Sequence, residues 1–281
     1  MQSAETSSLQ SWFATPAGQY LLAWEQSRFD AAVDDIFGYH GVQLGLPALD
    51  GLASSRVRRT WLAVDGSHAT ATGERTAVGG AHALVTDFSA LPFDTASLDM
   101  VLMPHTLDLA TDPHAALREA ERVLVPDGKL VICGFNPASL WGVAQRRADL
   151  FGRIGLGQRF LPVRQDSIGY RRLRDWLRLL SFEVESSQFG GFRPAVRSQQ
   201  WLDRFRWMDT AGDRWWPILG AAYFMVSTKR VAGMRLIAPA WKSRPARKEP
   251  AAVPVAGRDN VARHAPSPVP RPRPSSSYPD S

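Results

Sequence analysis

Between His82 and Asn136 the chain reads HALVTDFSALPFDTASLDMVLMPHTLDLATDPHAALREAERVLVPDGKLVICGFN. Short apolar runs here alternate with a run of helical period. Ala83-Leu84-Val85 ends at Asp87, Leu98 to Met103 ends at Pro104-His105, and Lys129 to Cys133 ends at Gly134. Asp112 can cap a helix that starts at Pro113. That helix would bury Ala116, Leu117, Ala120, Val123 and Leu124 and show Arg118, Glu119, Glu121 and Arg122 to water. Pro126-Asp127-Gly128 turns the chain into the next strand. Strands that alternate with helices imply a parallel sheet, and such sheets bind ligands at the carboxyl ends of their strands. Asp87, His105 and Asn136 fall at those ends.

The same residues resemble a known family. An acidic residue after a third strand (Asp87), Leu91-Pro92-Phe93, Ser97 to Asp99 at the entry to a fourth strand, His105, and Arg118-Glu119 followed by Arg122 to Gly128 are similar to the second half of a class I S-adenosylmethionine-dependent methyltransferase domain. The likeness is to the type 11 and ubiquinone-type branch. Phe135 to Gly142 (FNPASLWG) resembles a poorly characterised proteobacterial group within it. The resemblance extends over roughly residues 35 to 235 and is specific over 82 to 142. It implies an α/β, Rossmann-like, doubly wound seven-stranded sheet. Such a sheet is mostly parallel with an antiparallel last strand and has helices on both faces. The domain would occupy residues 38–236, with an N-terminal helical segment (1–37) packed on it and a helical insertion or lid around 141–163 and 196–216.

The resemblance also implies a methyl donor, S-adenosylmethionine, and roles for individual residues. Asp87 would accept from the adenine amino group, Phe88 would pack on the ring and Leu91 would line the same edge; Asp87 can equally be a loop-capping carboxylate. His105 would orient the donor or take a proton from an acceptor hydroxyl, since imidazole titrates near neutrality; a hydrogen-bonded structural histidine fits the position as well. Asn136 would point to the substrate side. The glycine-rich loop after the first strand is reduced to Gly45, with Leu46 and Pro47 where the family carries glycine. Asp65, 20 residues beyond Gly45, stands where Rossmann-like sites place a ribose-binding carboxylate; Asp65-Gly66 can also be a tight turn.

The rest of the chain supplies bounds. Pro16 starts a helix expected to run to about Phe37, with Leu22, Phe29, Val33 and Ile36 on one face and Gly38 ending it. The segment from Ser67 to Gly80 reads as a loop in place of a helix. Asp166 is placed to cap a helix to about Leu180, and Phe182-Glu183-Val184 and Ala221 to Thr228 read as the last two strands. Between them, Trp201 to Trp207 and Arg214-Trp215-Trp216 interleave arginine with tryptophan. That pattern suits stacked bases, an anionic lipid or an acidic aromatic ligand, or a lid helix with Trp201, Phe205 and Met208 packed on the sheet.

Cys133 is the only cysteine and lies in an apolar strand, which excludes an internal disulfide and fits a reducing cytoplasm. The longest uninterrupted apolar run, Trp215 to Val226, is too short to span a bilayer, and Met1 to Leu9 has no secretory pattern. The formal charge of +6 is concentrated in residues 241–281, where eight Lys/Arg face three Asp/Glu. That proline-rich tail reads as disordered. It can touch nucleic acid or an anionic membrane weakly, or simply solubilise the chain. The six histidines share no metal-ligand spacing. No Walker loop and no nucleophile elbow is present. The expected function is methyl transfer from S-adenosylmethionine to a small-molecule acceptor. The rival expectations are a binding or regulatory protein that kept the fold with a degenerate donor loop, and an NAD-binding Rossmann protein, which the missing Gly-x-Gly-x-x-Gly opposes.

Overall fold

The computed structural model describes residues 9–65, 81–152, 160–161 and 167–231. The 67–80 loop, Asp166 and the 241–281 tail lie outside the described residues. A helical stretch at 9–13 leads into α1 (Pro16–Val33). Then follow β1 (His40–Leu44), β2 (Arg59–Val64), β3 (His82–Val85), β4 (Leu98–Pro104), α2 (Thr106–Leu109), α3 (Pro113–Val123) and β5 (Leu124–Phe135). The chain continues through α4 (Leu140–Gly152), α5 (Tyr170–Leu179), β6 (Phe182–Gly190), α6 (Gln199–Arg204), α7 (Trp207–Trp215), a 3-10 turn at Pro217–Leu219 and β7 (Ala222–Lys229).

The seven strands form one sheet in the order β3-β2-β1-β4-β5-β7-β6. β1 to β5 pair in parallel, and β7 runs antiparallel between β5 and β6. Chain direction across the sheet reverses between β1 and β4, which opens a crevice at their carboxyl ends. Side chains alternate between two cores. Met100 and Leu102 of β4, with Val131, Cys133 and Phe135 of β5, join α1 on one face. Leu98, Val101 and Met103, with Leu130 and Ile132, join α3 and α5 on the other. A central strand buried on both faces must read as continuous apolar sequence, which is how these two read.

Local signals account for most boundaries. Thr15 caps α1 by accepting the Gly18 N–H at 3.2 Å, and Asp112 caps α3 by accepting the Ala115 N–H at 3.0 Å, each followed by proline. Asp99 Oδ2 accepts the N–H groups of Tyr39 (2.7 Å) and His40 (2.9 Å), so the residue entering β4 fixes the start of β1. A Cβ at Gly38 would lie 2.5 Å from Asp99 Cβ. Glycine is therefore required there by close approach rather than as a helix stop.

Several expectations need correction. α1 ends at Val33, not Phe37, because Asp34 and Asp35 bring negative charge to the negative end of the helix. Its buried face is Ala17-Leu21-Glu25-Phe29-Val33, with Leu22 only partly covered. α5 starts at Tyr170 with Gly169 as its N-cap. β5 begins at Leu124, passing through a bulge in which Asp127 takes a left-handed φ of 62°, and β6 continues to Gly190. Glu119 and Arg122 do not simply face water. Glu119 Oε1 accepts the Leu91 N–H (2.8 Å), while Arg122 donates to the carbonyls of Leu91 (3.1 Å) and Phe93 (2.8 Å) and to Glu119. The Arg-Glu-x-x-Arg pattern thus clamps the loop after β3. The 199–215 segment is two helices broken at Phe205-Arg206, with Leu202 as its buried anchor. A six-residue helix can seat only one side chain well, so Trp201, expected to pack on the sheet, is left at the surface and stacks on Phe205.

Replacing Asp112 by Ala removes the cap of α3. It should cost about 1 kcal/mol and lower Tm by about 2–4 °C, as read by thermal unfolding followed by circular dichroism.

Candidate functional site at the strand ends

The loop after β1 carries unusual backbone. Gly45 has φ 76° and Leu46 φ 36°, both left-handed. Glycine accepts this freely, whereas leucine does so at a cost. Two interactions hold the loop there. The Gly45 N–H donates to the Ala63 carbonyl at 2.7 Å. Buried Gln43 donates through Nε2 to the carbonyls of Leu49 (2.7 Å), Leu46 (3.2 Å) and Gly45 (3.4 Å), and its Oε1 accepts the Gly51 N–H at 2.9 Å. The Leu46 side chain turns into the core with Leu49 and Leu52 rather than outward. Gly45 itself sits beside the Phe88 ring: a Cβ there would lie 3.5 Å from Phe88 Cζ.

A cavity of about 360 Å³ opens at the ends of β2 and β3. Asp65, Asp87, Phe88 and Ser89 line one side, and Thr111 and Asp112 from the α2–α3 turn line the other. Its volume suits a nucleoside-sized group. Asp87 Oδ1 accepts from the Ser89 N–H and hydroxyl, both at 2.8 Å. The Ser89 backbone N–H, and then its hydroxyl, hold the Asp87 carboxyl below the usual carboxylate range, so it is ionised at neutral pH. Leu91 is buried in the same core cluster as Phe88, its N–H bound by Glu119. Asp65, Asp87 and Phe88 thus line one cavity, with Gly45 beside the Phe88 ring and Leu91 in the core below.

His105 follows β4 at φ 53° and is fully buried. Its Nε2 lies 2.8 Å from Glu25 Oε1 and its Nδ1 3.1 Å from Asp108 Oδ2; both carboxylates are buried too. The Phe135 ring sits 4.2 Å and the Phe13 ring 5.5 Å from the imidazole, centre to centre. Burial alone would push the His105 pKa down. The Glu25 charge, together with hydrogen bonds to Asp108, Cys133 and Glu25, outweighs it and raises the pKa well above the usual value. The two carboxylates thus favour the charged form of the ring, and each nitrogen already has a carboxylate partner. Asp108 Oδ2 also accepts the Phe135 N–H at 3.1 Å, which ties this group to the end of β5.

Glu25, His105 and Cys133 bring donor atoms within 4.8 Å of one another. The Cys133 thiol is pushed up to about 12, by burial first and then by the Glu25 charge, so it is protonated. Both His105 nitrogens are engaged with carboxylates, and the cluster is chemically an ion-pair network. Asn136 is likewise engaged: its Nδ2 donates to the carbonyls of Ile218 (2.7 Å) and Gly220 (2.9 Å), and its Oδ1 accepts the Ala138 N–H (3.0 Å).

Glu25 and Gln43 are the two residues that sequence reasoning passed over. A signal existed for the first, because a glutamate four residues after Leu21 and four before Phe29 falls on the buried stripe of α1.

A family model described as a methyltransferase domain matches residues 46–132. Protein YafS of Escherichia coli K12, described as uncharacterized, is 44% identical over 94 residues, 34% of this chain and 36% of that protein. The ubiquinone/menaquinone biosynthesis C-methyltransferase UbiE of Hahella chejuensis is 34% identical over 90 residues, 32% of this chain and 36% of that protein. The chain thus spans little more than a third of the length of these curated relatives. Among solved structures, a chain of the complex between the Haloferax volcanii Trm112 methyltransferase activator and a methyltransferase superposes with a TM-score of 0.54, at 18% identity, over 81% of this chain and 98% of that one. A SAM-dependent methyltransferase of Thermotoga maritima does so with a TM-score of 0.53, at 18% identity, over 79% and 94%. At that identity the two structures speak for the fold alone.

The Glu25–His105 pair makes a pH prediction. The folded pKa of His105 lies above the unfolded value near 6.5. Its contribution to stability should be complete below about pH 6.5 and decline as pH rises towards the folded pKa. Urea unfolding between about pH 6 and 9 should show that decline, and Glu25→Gln should remove most of it while costing about 3 kcal/mol at pH 6. A flat wild-type profile would mean that His105 is not charged.

Residues 46–132 thus match a methyltransferase domain model, and the seven-stranded sheet that carries them has the Rossmann-like class I fold.

Proposed function

We propose that the protein transfers a methyl group from S-adenosylmethionine to a small-molecule acceptor, with the nucleoside end of the donor in the cavity between Asp65 and Asp87. The observation that carries this reading is the convergence of two carboxylates and the Phe88 ring on one nucleoside-sized cavity beside the left-handed Gly45-Leu46 turn. Asp65 would accept from ribose hydroxyls, Asp87 from the adenine amino group, and Phe88 and Leu91 would pack the ring edge. A sulfonium-bound methyl already has a good leaving group, so the protein has chiefly to align donor and acceptor and exclude water. Those tasks fall to the helical stretch at 9–13, to α1 and to the Gln43-wired loop. His105 is then a positioning residue: as an imidazolium it holds α1 over the end of β4. Asn136 supports the wall on the acceptor side by fixing the 218–220 turn. The single buried thiol, Cys133, supports a reducing, cytoplasmic setting.

One observation favours a rival, a binding protein that kept the fold without the transfer. The position after β4 is sealed under Phe13 and α1, so an acceptor reaches it only if that cover moves. Calorimetric titration of the full chain with S-adenosylmethionine and S-adenosylhomocysteine separates the two. Methyl transfer requires binding in the micromolar range, about −8 kcal/mol. Asp65→Ala and Asp87→Ala should each cost about 1–3 kcal/mol of that in protein that remains folded. Wild-type protein that stays folded and shows no binding at millimolar ligand would transfer the case to the rival. Unchanged affinity in both variants would reject the assignment of the two carboxylates.

A further inference from the structure

The connection between β6 and β7 leaves a large apolar face uncovered. Trp201, Trp207, Trp215 and Ile218 are 52%, 60%, 74% and 56% exposed, and Trp216 and Leu219 also reach solvent. Arg204, Arg206 and Arg214 are exposed among them. The opposing acids are Asp203, Asp209 and exposed Asp213: Asp209 accepts from the Tyr20 hydroxyl and from Arg193 (3.0 Å), and Asp203 accepts from Gln199 (3.2 Å) and lies 3.7 Å from the Arg206 guanidinium. Asn136 binds the Ile218 and Gly220 carbonyls, so the start of α4 lies beside the 3-10 turn. From there α4 adds exposed Leu140 and Val143, and then exposed Arg146 and Arg147. The face is held from behind. Leu202 is fully buried, and a Cβ at Gly212 would lie 2.3 Å from Phe192 Cγ, so α7 is pressed against the loop after β6. A fixed scaffold that leaves this many indoles and aliphatic groups in water requires an explanation.

We propose that this face seats the protein on an anionic lipid surface. Indole rings settle at the boundary between headgroups and acyl chains, and isoleucine and leucine reach just below it. Arginine binds lipid phosphate through its planar fork while its alkyl stem stays in the apolar layer. A protein partner fits the composition less well, because the centre of a protein interface is depleted of charge. Here Arg206-Trp207 and Arg214-Trp215 are sequence neighbours, so charge stands directly beside two of the exposed indoles. Single-stranded nucleic acid would use the indoles and arginines, but it has no use for the exposed aliphatic groups of Leu140, Val143, Ile218 and Leu219.

The test uses the full chain with vesicles of phosphatidylcholine, with and without phosphatidylglycerol, read by co-sedimentation and by the shift of tryptophan emission. Phosphatidylglycerol vesicles should bind the protein and shift its emission to the blue. Binding to pure phosphatidylcholine, or at high salt, should be at least about tenfold weaker. The double variant Trp207→Glu/Trp215→Glu should bind at least about tenfold more weakly, with Tm and S-adenosylmethionine affinity unchanged. No binding to phosphatidylglycerol vesicles overturns the proposal, as does binding that the double variant leaves intact. A wild-type dimer in light scattering that the variant disperses would assign the face to a second copy of this chain. Binding of a single-stranded oligonucleotide that the variant abolishes, without vesicle binding, would assign it to nucleic acid. The vesicle readout does not depend on methyl transfer, so failure of the donor titration leaves it standing.

Discussion

A buried positive charge between two buried carboxylates organises the molecule. Glu25 on α1, His105 after β4 and Asp108 in α2 meet where water is excluded and aromatic rings close over them. An isolated ion would not survive there, and each of the three is tolerable only because of the others. The group ties the N-terminal helix to the carboxyl end of the central strand, and through the Phe135 N–H to β5 as well. It therefore fixes three elements to one another at once. Glu25 Oε2 and Asp108 Oδ1 have no hydrogen-bond partner among the described residues, so the network is polar beyond what its own hydrogen bonds satisfy. Polar networks of this kind specify a unique arrangement more than they add stability.

Much of the sheet was legible because its central strands bury both faces. A strand with solvent on neither side has to be apolar throughout, and Leu98 to Met103 and Leu130 to Cys133 read that way. Asp112-Pro113 marked the start of α3 for a local reason, the capping of free N–H groups. The clamp made by Glu119 and Arg122 was hidden by that same local logic. On a helical wheel both residues belong to the wet face, and only the fold brings the loop after β3 over them.

The site divides along the same line. Asp65, Asp87 and Phe88 could be set at strand ends from the apolar runs before them, and all three line one cavity. The environment of His105 could not be read, since its partner Glu25 lies 80 residues away in the chain. The reduced glycine loop gave an equally incomplete picture. Leu46 looks obstructive in sequence, yet its left-handed backbone sends the side chain into the core. Exposure of the tryptophans in α6 and α7 was illegible for another reason. Helical periodicity says which residues share a face, not whether anything covers that face.

Gln43 gives the crevice a kinetic character. Three carbonyls and one N–H of the loop after β1 are already bonded to its amide, so the loop keeps its shape with no ligand present. A recognition loop that is ordered in advance loses little conformational entropy when it is filled. It also cannot reshape itself around a poor fit. If the cavity takes the donor as proposed, ligands that share its nucleoside end should then enter at similar rates and be sorted by how long they stay. In a crevice wired this way, selectivity is a matter of residence time.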